Sequence, residues 1–241
     1  MESGLVAFIA IAVFAGALVQ GVSGLGFPLV VSPVATQLVP GTGAVGLVNA
    51  LSIVQNVWLI FRTKGPVAWR AFWQMVPGLV IGIMLGALVV RFGSERLFPV
   101  IVATSATASM LWLLFAHKFT HAAAGFFSSV WGGTVNTIAG VGGPPIASFL
   151  VSRGITFNSY VRTLQLTFAI IDVISLPILG VFAPSVGAIV AWLIALMAGS
   201  VLGELLRRRL SEDTAKRIGK FTILVVCVVA LVRSVVVIAQ G

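Results

Sequence analysis

The chain has 241 residues, of which 59% are hydrophobic and 9% charged, and its mean hydropathy is +1.13. That leaves too little polar surface to coat a water-soluble domain. It also excludes collagen, disordered coil and a disulfide scaffold, since Cys227 is the single cysteine. At roughly 20 apolar residues per crossing, the length accommodates about eight to ten hydrophobic segments and no sizeable extramembrane domain. The net charge of +9 lies in short loops between apolar segments and not on a stripe or tail, which points to membrane orientation and not to nucleic acid. The fold class is an all-α polytopic membrane protein.

Met1 to Gly4 carry no Lys or Arg, so the apolar run from Leu5 lacks the basic flank of a signal peptide and reads as a mature helix. The first stretch, 5–40, is too long for one straight span and is broken by Gly21-Val22-Ser23-Gly24-Leu25-Gly26-Phe27-Pro28. Spans follow at 42–61, 71–90 and 97–116. A second long stretch, 121–152, is broken by Ile138-Ala139-Gly140-Val141-Gly142-Gly143-Pro144-Pro145. Spans at 158–180, 185–206 and 217–238 complete the chain.

The two broken stretches are alike. A shift of 116 residues places Gly16, Val19, Gly24, Gly26, Pro28 and Ser32 on Gly132, Val135, Gly140, Gly142, Pro144 and Ser148, with Gln20 on Asn136. A shift of 117 places Gly82, Leu85, Gly86, Leu88, Arg91, Ser94 and Glu95 on Gly199, Leu202, Gly203, Leu205, Arg208, Ser211 and Glu212. Glycine matches in an apolar chain are cheap, but the second set includes charged residues at a nearly unchanged offset. The chain reads as a duplication, with repeats at 1–120 and 121–241.

Loop charge orients the halves. If each broken stretch enters and returns without crossing, twelve of the fifteen Lys and Arg residues face the cytoplasm, leaving Arg91, Arg96 and Arg233 elsewhere. A single crossing by 121–152 instead sends eight of those twelve outside. Three spans plus a returning hairpin make an odd number of crossings per half, so the second repeat is expected to be inverted, with both termini extracellular. Many secondary transporters follow this plan, with the binding site where broken elements meet near the midplane.

Unpaired backbone in hydrocarbon costs several kcal/mol per group and persists only where protein or a polar cavity satisfies it. Pro28 and Pro144 suit the first turn of a helix, so each break is expected to end in a half-helix N-terminus directed at the protein centre. Gly24, Gly26, Gly140, Gly142 and Gly143 allow a ligand to approach the backbone closely. Such a site favours an anion, and it avoids the cost of burying a full Lys or Arg charge.

At these residues the chain resembles the TauE/SafE sulfite exporter family, also called the toluenesulfonate uptake permeases. The likeness is carried by the break from Gly21 to Pro28, by Gly140-Val141-Gly142-Gly143-Pro144-Pro145, and by the pairs Leu85-Gly86 and Leu202-Gly203, so it covers nearly the whole chain. Phe27 stands where the second half has Gly143. The resemblance implies a prokaryotic cytoplasmic-membrane carrier of small sulfur-containing anions such as sulfite, sulfoacetate or other organosulfonates, driven by proton-linked secondary transport. Its implied partners are the anion, protons and membrane lipids; it implies no nucleic acid and no cofactor. A channel or a carrier for another small anion is the alternative, which the same half-helix tips would serve.

Other polar residues carry paired readings. Gln20 and Asn136 either donate to a sulfonate oxygen or cap the broken backbone. Ser23, Ser32 and Ser148 either contact ligand or bond their own helix carbonyls. Asn49 aligns with Gln165 and Asn56 with Asp172, all on spans directly following the hairpins. Asp172 is the only acid well inside a predicted span, and it is either a carrier of the coupling proton or a structural carboxylate. Phe27 and Trp131 either wall the cavity or face core or lipid. Gly78, Gly82, Gly86, Gly199 and Gly203 suit close helix contact. The run Arg207-Arg208-Arg209 suits a topology anchor that also meets anionic lipid.

Gly21-Val22-Ser23-Gly24 also fits the GxSG pattern of intramembrane serine proteases, which require a histidine facing the serine. Only His117 and His121 exist, both in the loop before the second half, so a dyad is not expected. Spacings for a metal site or a phosphate-binding loop are missing from the sequence, and no catalytic residue is assigned.

Overall fold

A computed structural model describes residues 3–39, 41–94, 97–115, 122–182 and 184–210, together with Thr214, Arg217, Phe221 and Val228. Nine helices account for the continuous part: α1 (Ser3–Ser23), α2 (Phe27–Leu38), α3 (Gly43–Arg62), α4 (Trp69–Phe92), α5 (Phe98–Phe115), α6 (Ala122–Ala139), α7 (Gly143–Ser152), α8 (Phe157–Leu179) and α9 (Val186–Arg207). The described residues contain no strand. Five helices, α1, α3, α4, α8 and α9, are long and apolar enough to cross a bilayer. The expected span 217–238 lies outside the described residues, apart from three isolated positions.

Both long apolar stretches break where the glycines and prolines fall. Gly24 and Gly26 adopt φ of 76° and 133°, and Gly140 adopts 71°, values that a side chain disfavours. Pro28 starts α2, and Pro144 and Pro145 start α7; each lacks an N–H where a helix has no internal partner for it. Each long apolar stretch is thus two helices joined by a break, α1 with α2 and α6 with α7.

The hairpins are gripped by helices from the other half of the chain. Along α4, Gly78, Gly82 and Gly86 lie against the backbone of Phe126, Val130 and Thr134 in α6; along α9, Gly199 and Gly203 lie against Phe14 and Leu18 in α1. A Cβ at Gly86 would stand 2.6 Å from Thr137 Cβ, and one at Gly203 2.9 Å from Gly21 Cα. Small residues thus perform the packing role expected of them. At the crossing of α3 and α8, Gly46 meets the Gly180 carbonyl.

Polarity is distributed inside out. Outward positions carry Ile11, Phe61, Met84 and Ile194, each more than 60% exposed, whereas Gln20, Asn49, Gln55, Asn56, Asn136, Gln165 and Asp172 are buried. This suits a hydrocarbon solvent outside and a polar functional interior.

Among the described residues, Arg62, Arg70, Arg153, Arg162 and Arg208 lie at one end of the helices. Arg62 at the end of α3 pairs with Glu204 of α9 at 3.0 Å, and Arg208 joins the same carboxylate at 2.7 Å. Arg162 donates to the Gly65 carbonyl at 2.6 Å and Ser159 to the Pro66 carbonyl at 2.8 Å. Arg70 and Arg153 border one surface cavity at that end. At the opposite end Thr42 donates to the Leu179 carbonyl, and Phe182 to the Gly43 carbonyl.

Candidate functional site

The two breaks meet. A Cβ at Gly143 would run into Leu25 of the first break, and one at Gly140 would lie 3.4 Å from Pro28 Cβ. Between them sits a small cavity with room for about one water molecule. Its polar wall is Gln20, Asn56, Asn136 and Asp172; backbone and ring are supplied by Gly140, Gly143 and Pro28, and the apolar wall by Leu25, Leu29, Val141 and Phe168.

Gln20 occupies the last turn of α1. Its Oε1 accepts from the Phe27 N–H at 2.9 Å, and its Nε2 donates to Asn56 Oδ1 at 3.1 Å and to Gln165 Oε1 at 2.9 Å. Asn136 takes the matching place on α6. Its Oδ1 accepts from the Gly142 N–H at 3.3 Å, and its Nδ2 donates to Asp172 Oδ1 at 2.8 Å. Asn56 Nδ2 donates to the other carboxylate oxygen at 3.1 Å, and Gln165 Nε2 reaches the Gly24 carbonyl at 2.8 Å. Each half-helix tip is therefore capped by an amide from its own half; Asn136 meets the Asp172 carboxylate directly, and Gln20 is linked to it through Asn56. Hydrogen bonding of this kind offsets the desolvation cost of burying polar groups.

Of the residues expected at the site, Gln20, Pro28, Asn56, Asn136, Gly140, Gly143 and Asp172 line the cavity. Others stand behind it. Ser23 Oγ is engaged by backbone, 2.9 Å from the Val19 carbonyl and 2.6 Å from that of Leu25. Gly24 faces Val161, and Gly142 lies against the Gly132 carbonyl. Gly26 and Pro144 form the backbone of the breaks and are not in the cavity wall. Phe27 packs on Gly16 in the core, and Trp131 is exposed, so neither aromatic walls the cavity. Asn49 and Gln165 flank the breaks from α3 and α8.

Sequence reasoning missed the apolar wall. Phe168 was legible: it lies four residues before Asp172 and three after Gln165, hence on the same α8 face. His117 and His121 lie outside the described residues, but the Ser23 hydroxyl is committed to its own backbone. Among the described residues no three His, Cys, Asp or Glu side chains come together as a metal site.

A carboxylate, three amides and two glycine-rich tips around an apolar-walled cavity, flanked by short half-helices, are parts suited to holding a small polar solute inside a membrane. The family model described as sulfite exporter TauE/SafE matches residues 8–232. The chain belongs to the TauE/SafE sulfite exporter family. No curated protein and no solved structure matches it. Membership identifies this TauE/SafE protein as a multi-pass membrane transporter of sulfur-containing anions.

Proposed function

We propose that this TauE/SafE protein is a proton-coupled secondary carrier that moves sulfite, sulfoacetate or a related organosulfonate through the central cavity. The observation that carries this reading is the sharing of donors at Asp172. Asn136 Nδ2 and Asn56 Nδ2 both donate to its carboxylate, at 2.8 and 3.1 Å, and the same two amides face the cavity. An ionised carboxylate occupies both donors and repels a second anion. Protonation neutralises it and releases amide N–H groups to an incoming oxyanion. Anion and proton thus bind together, and the expected coupling is symport. The cavity is smaller than any sulfur oxyanion, so loading requires the tips to part, with Gln20 and Asn136 exchanging contacts as they do.

The inverted-repeat plan with units 1–120 and 121–241 is part of this proposal. It draws support from the reciprocal grip, α4 on α6 and α9 on α1, at glycines 117 residues apart. In such folds one repeat rocks against the other around a fixed site. Sidedness follows the charge: the end bearing Arg62, Arg70, Arg153 and Arg162 is assigned to the cytoplasm of a prokaryotic cell, with the Arg207–Arg209 run against anionic lipid.

The test is a flux panel in proteoliposomes comparing sulfite, sulfoacetate, taurine, sulfate and chloride with and without a pH gradient. The proposal expects accumulation of a sulfur anion that follows the proton gradient. Movement that ignores that gradient and follows voltage at channel-like rates would establish the channel alternative.

A further inference from the structure

Beside the central cavity lies a group of polar side chains that the donor network leaves out. Ser32 Oγ, both polar atoms of the Asn49 amide, and Ser52 Oγ are completely enclosed and have no hydrogen-bond partner. They belong together. Asn49 and Ser52 are one turn apart on α3, on the face that continues to Asn56 in the cavity wall. Ser32 stands one turn beyond Pro28 on α2. The tip residue Gly140 ties them to each other, because a Cβ there would lie 2.9 Å from Asn49 Oδ1 and 3.2 Å from Ser32 Oγ.

The matching place in the other half is closed. The residue corresponding to Ser32 is Ser148, which donates to the Pro145 carbonyl at 2.7 Å and accepts from Trp112 Nε1 at 3.1 Å. The residue corresponding to Asn49 is Gln165, one methylene longer, which reaches the Gly24 carbonyl and also accepts from Gln20. The residue corresponding to Ser52 is Phe168, which is apolar. So the duplication supplies the position twice, and only one copy keeps free donors. Leaving several buried donors unmet costs about 1–3 kcal/mol apiece, and a merely structural interior would have filled the place as the second half does.

We propose that Ser32, Asn49 and Ser52 form a second oxyanion subsite, one helical turn from the central cavity toward the N-terminal end of α3. Two hydroxyls and one amide provide neutral donors for oxyanion oxygens, and no carboxylate competes for them. The subsite holds the anion while Asp172 still occupies Asn136 and Asn56, so that anion binding precedes protonation and transfer to the centre. This inference rests on the carrier reading above.

The test uses the purified full-length chain in nanodiscs, with sulfoacetate and sulfite binding measured by calorimetry at alkaline pH and thermal stability measured alongside. Ser32→Ala, Ser52→Ala and the triple variant Ser32→Ala/Asn49→Leu/Ser52→Ala are compared with Ser148→Ala. The triple variant is expected to bind about tenfold or more weakly while melting at the same or a higher temperature, since it removes unmet polar groups. Ser148→Ala is expected to bind as the wild type does. Unchanged binding by the triple variant overturns the subsite and leaves the carrier reading intact. Weaker binding with reduced thermal stability also overturns it, because the three residues would then be structural. A wild-type chain that binds neither anion at alkaline pH overturns the subsite, and one that binds neither at acidic pH as well overturns the carrier reading itself.

Discussion

Asp172→Asn isolates the coupling step. In the wild type the carboxylate accepts from Asn136 at 2.8 Å and from Asn56 at 3.1 Å, and each bond to a charged acceptor is worth about 1.5–3 kcal/mol. Asparagine offers one carbonyl oxygen in place of two, so one of the two amide donors is released at every pH. Releasing one such donor should raise alkaline-pH affinity by about tenfold to a hundredfold, at about 1.4 kcal/mol per factor of ten. Sulfoacetate suits the assay because its sulfonate and carboxylate remain ionised through neutral and alkaline pH. Wild-type binding should strengthen as pH falls, since protonation frees the donors, whereas Asp172→Asn should bind equally across that range. In proteoliposomes with the membrane potential clamped at zero, a one-to-one symporter accumulates its anion about tenfold per unit of pH gradient. The variant should exchange labelled for unlabelled anion without accumulating it. Unchanged pH dependence of binding and undiminished accumulation by Asp172→Asn would refute the shared-donor reasoning and return Asp172 to a structural role.

Gln165→Leu should lower stability by about 1–3 kcal/mol, read as a lower melting temperature, because it strands the buried Gly24 carbonyl and removes one acceptor from Gln20. Gly203→Leu should drive α9 away from α1, where a Cβ already stands 2.9 Å from Gly21 Cα, and the loss of monodisperse protein in size-exclusion chromatography should exceed that of Leu202→Ala on the exposed face. Glu204→Gln should cost about 1 kcal/mol and make the melting temperature less dependent on salt, since the half-exposed Arg62 and Arg208 lose their shared carboxylate. Single cysteines in a Cys227→Ser background should report sidedness, with Gly65→Cys labelled from the cytoplasm and Gly41→Cys from outside; the opposite pattern would reverse the orientation.

The sequence by itself determined the membrane environment, the helix order and the two breaks. These follow from local rules: about 20 apolar residues per crossing, glycines at φ of 76° and 71° at Gly24 and Gly140, and prolines where a helix begins. The reading of the chain as a duplication rests on Gln20 and Asn136, and Gly82 and Gly199, which recur at nearly constant offsets. Equivalent positions, however, do not imply equivalent partners. Only the tertiary structure decided that Gln20 and Asn136 cap their own tips, that Ser23 and Phe27 turn away from the cavity, and that Gln165 completes a network which Asn49 leaves open. These outcomes depend on reach and on which side chain crosses from a segment more than a hundred residues distant, as with Gln165 and Gly24. The difference between Gln165 and Asn49 is one methylene, about the length of a carbon–carbon bond. Composition and periodicity carry no trace of whether that length bridges a gap, because the gap is set by helices packed from both halves of the chain.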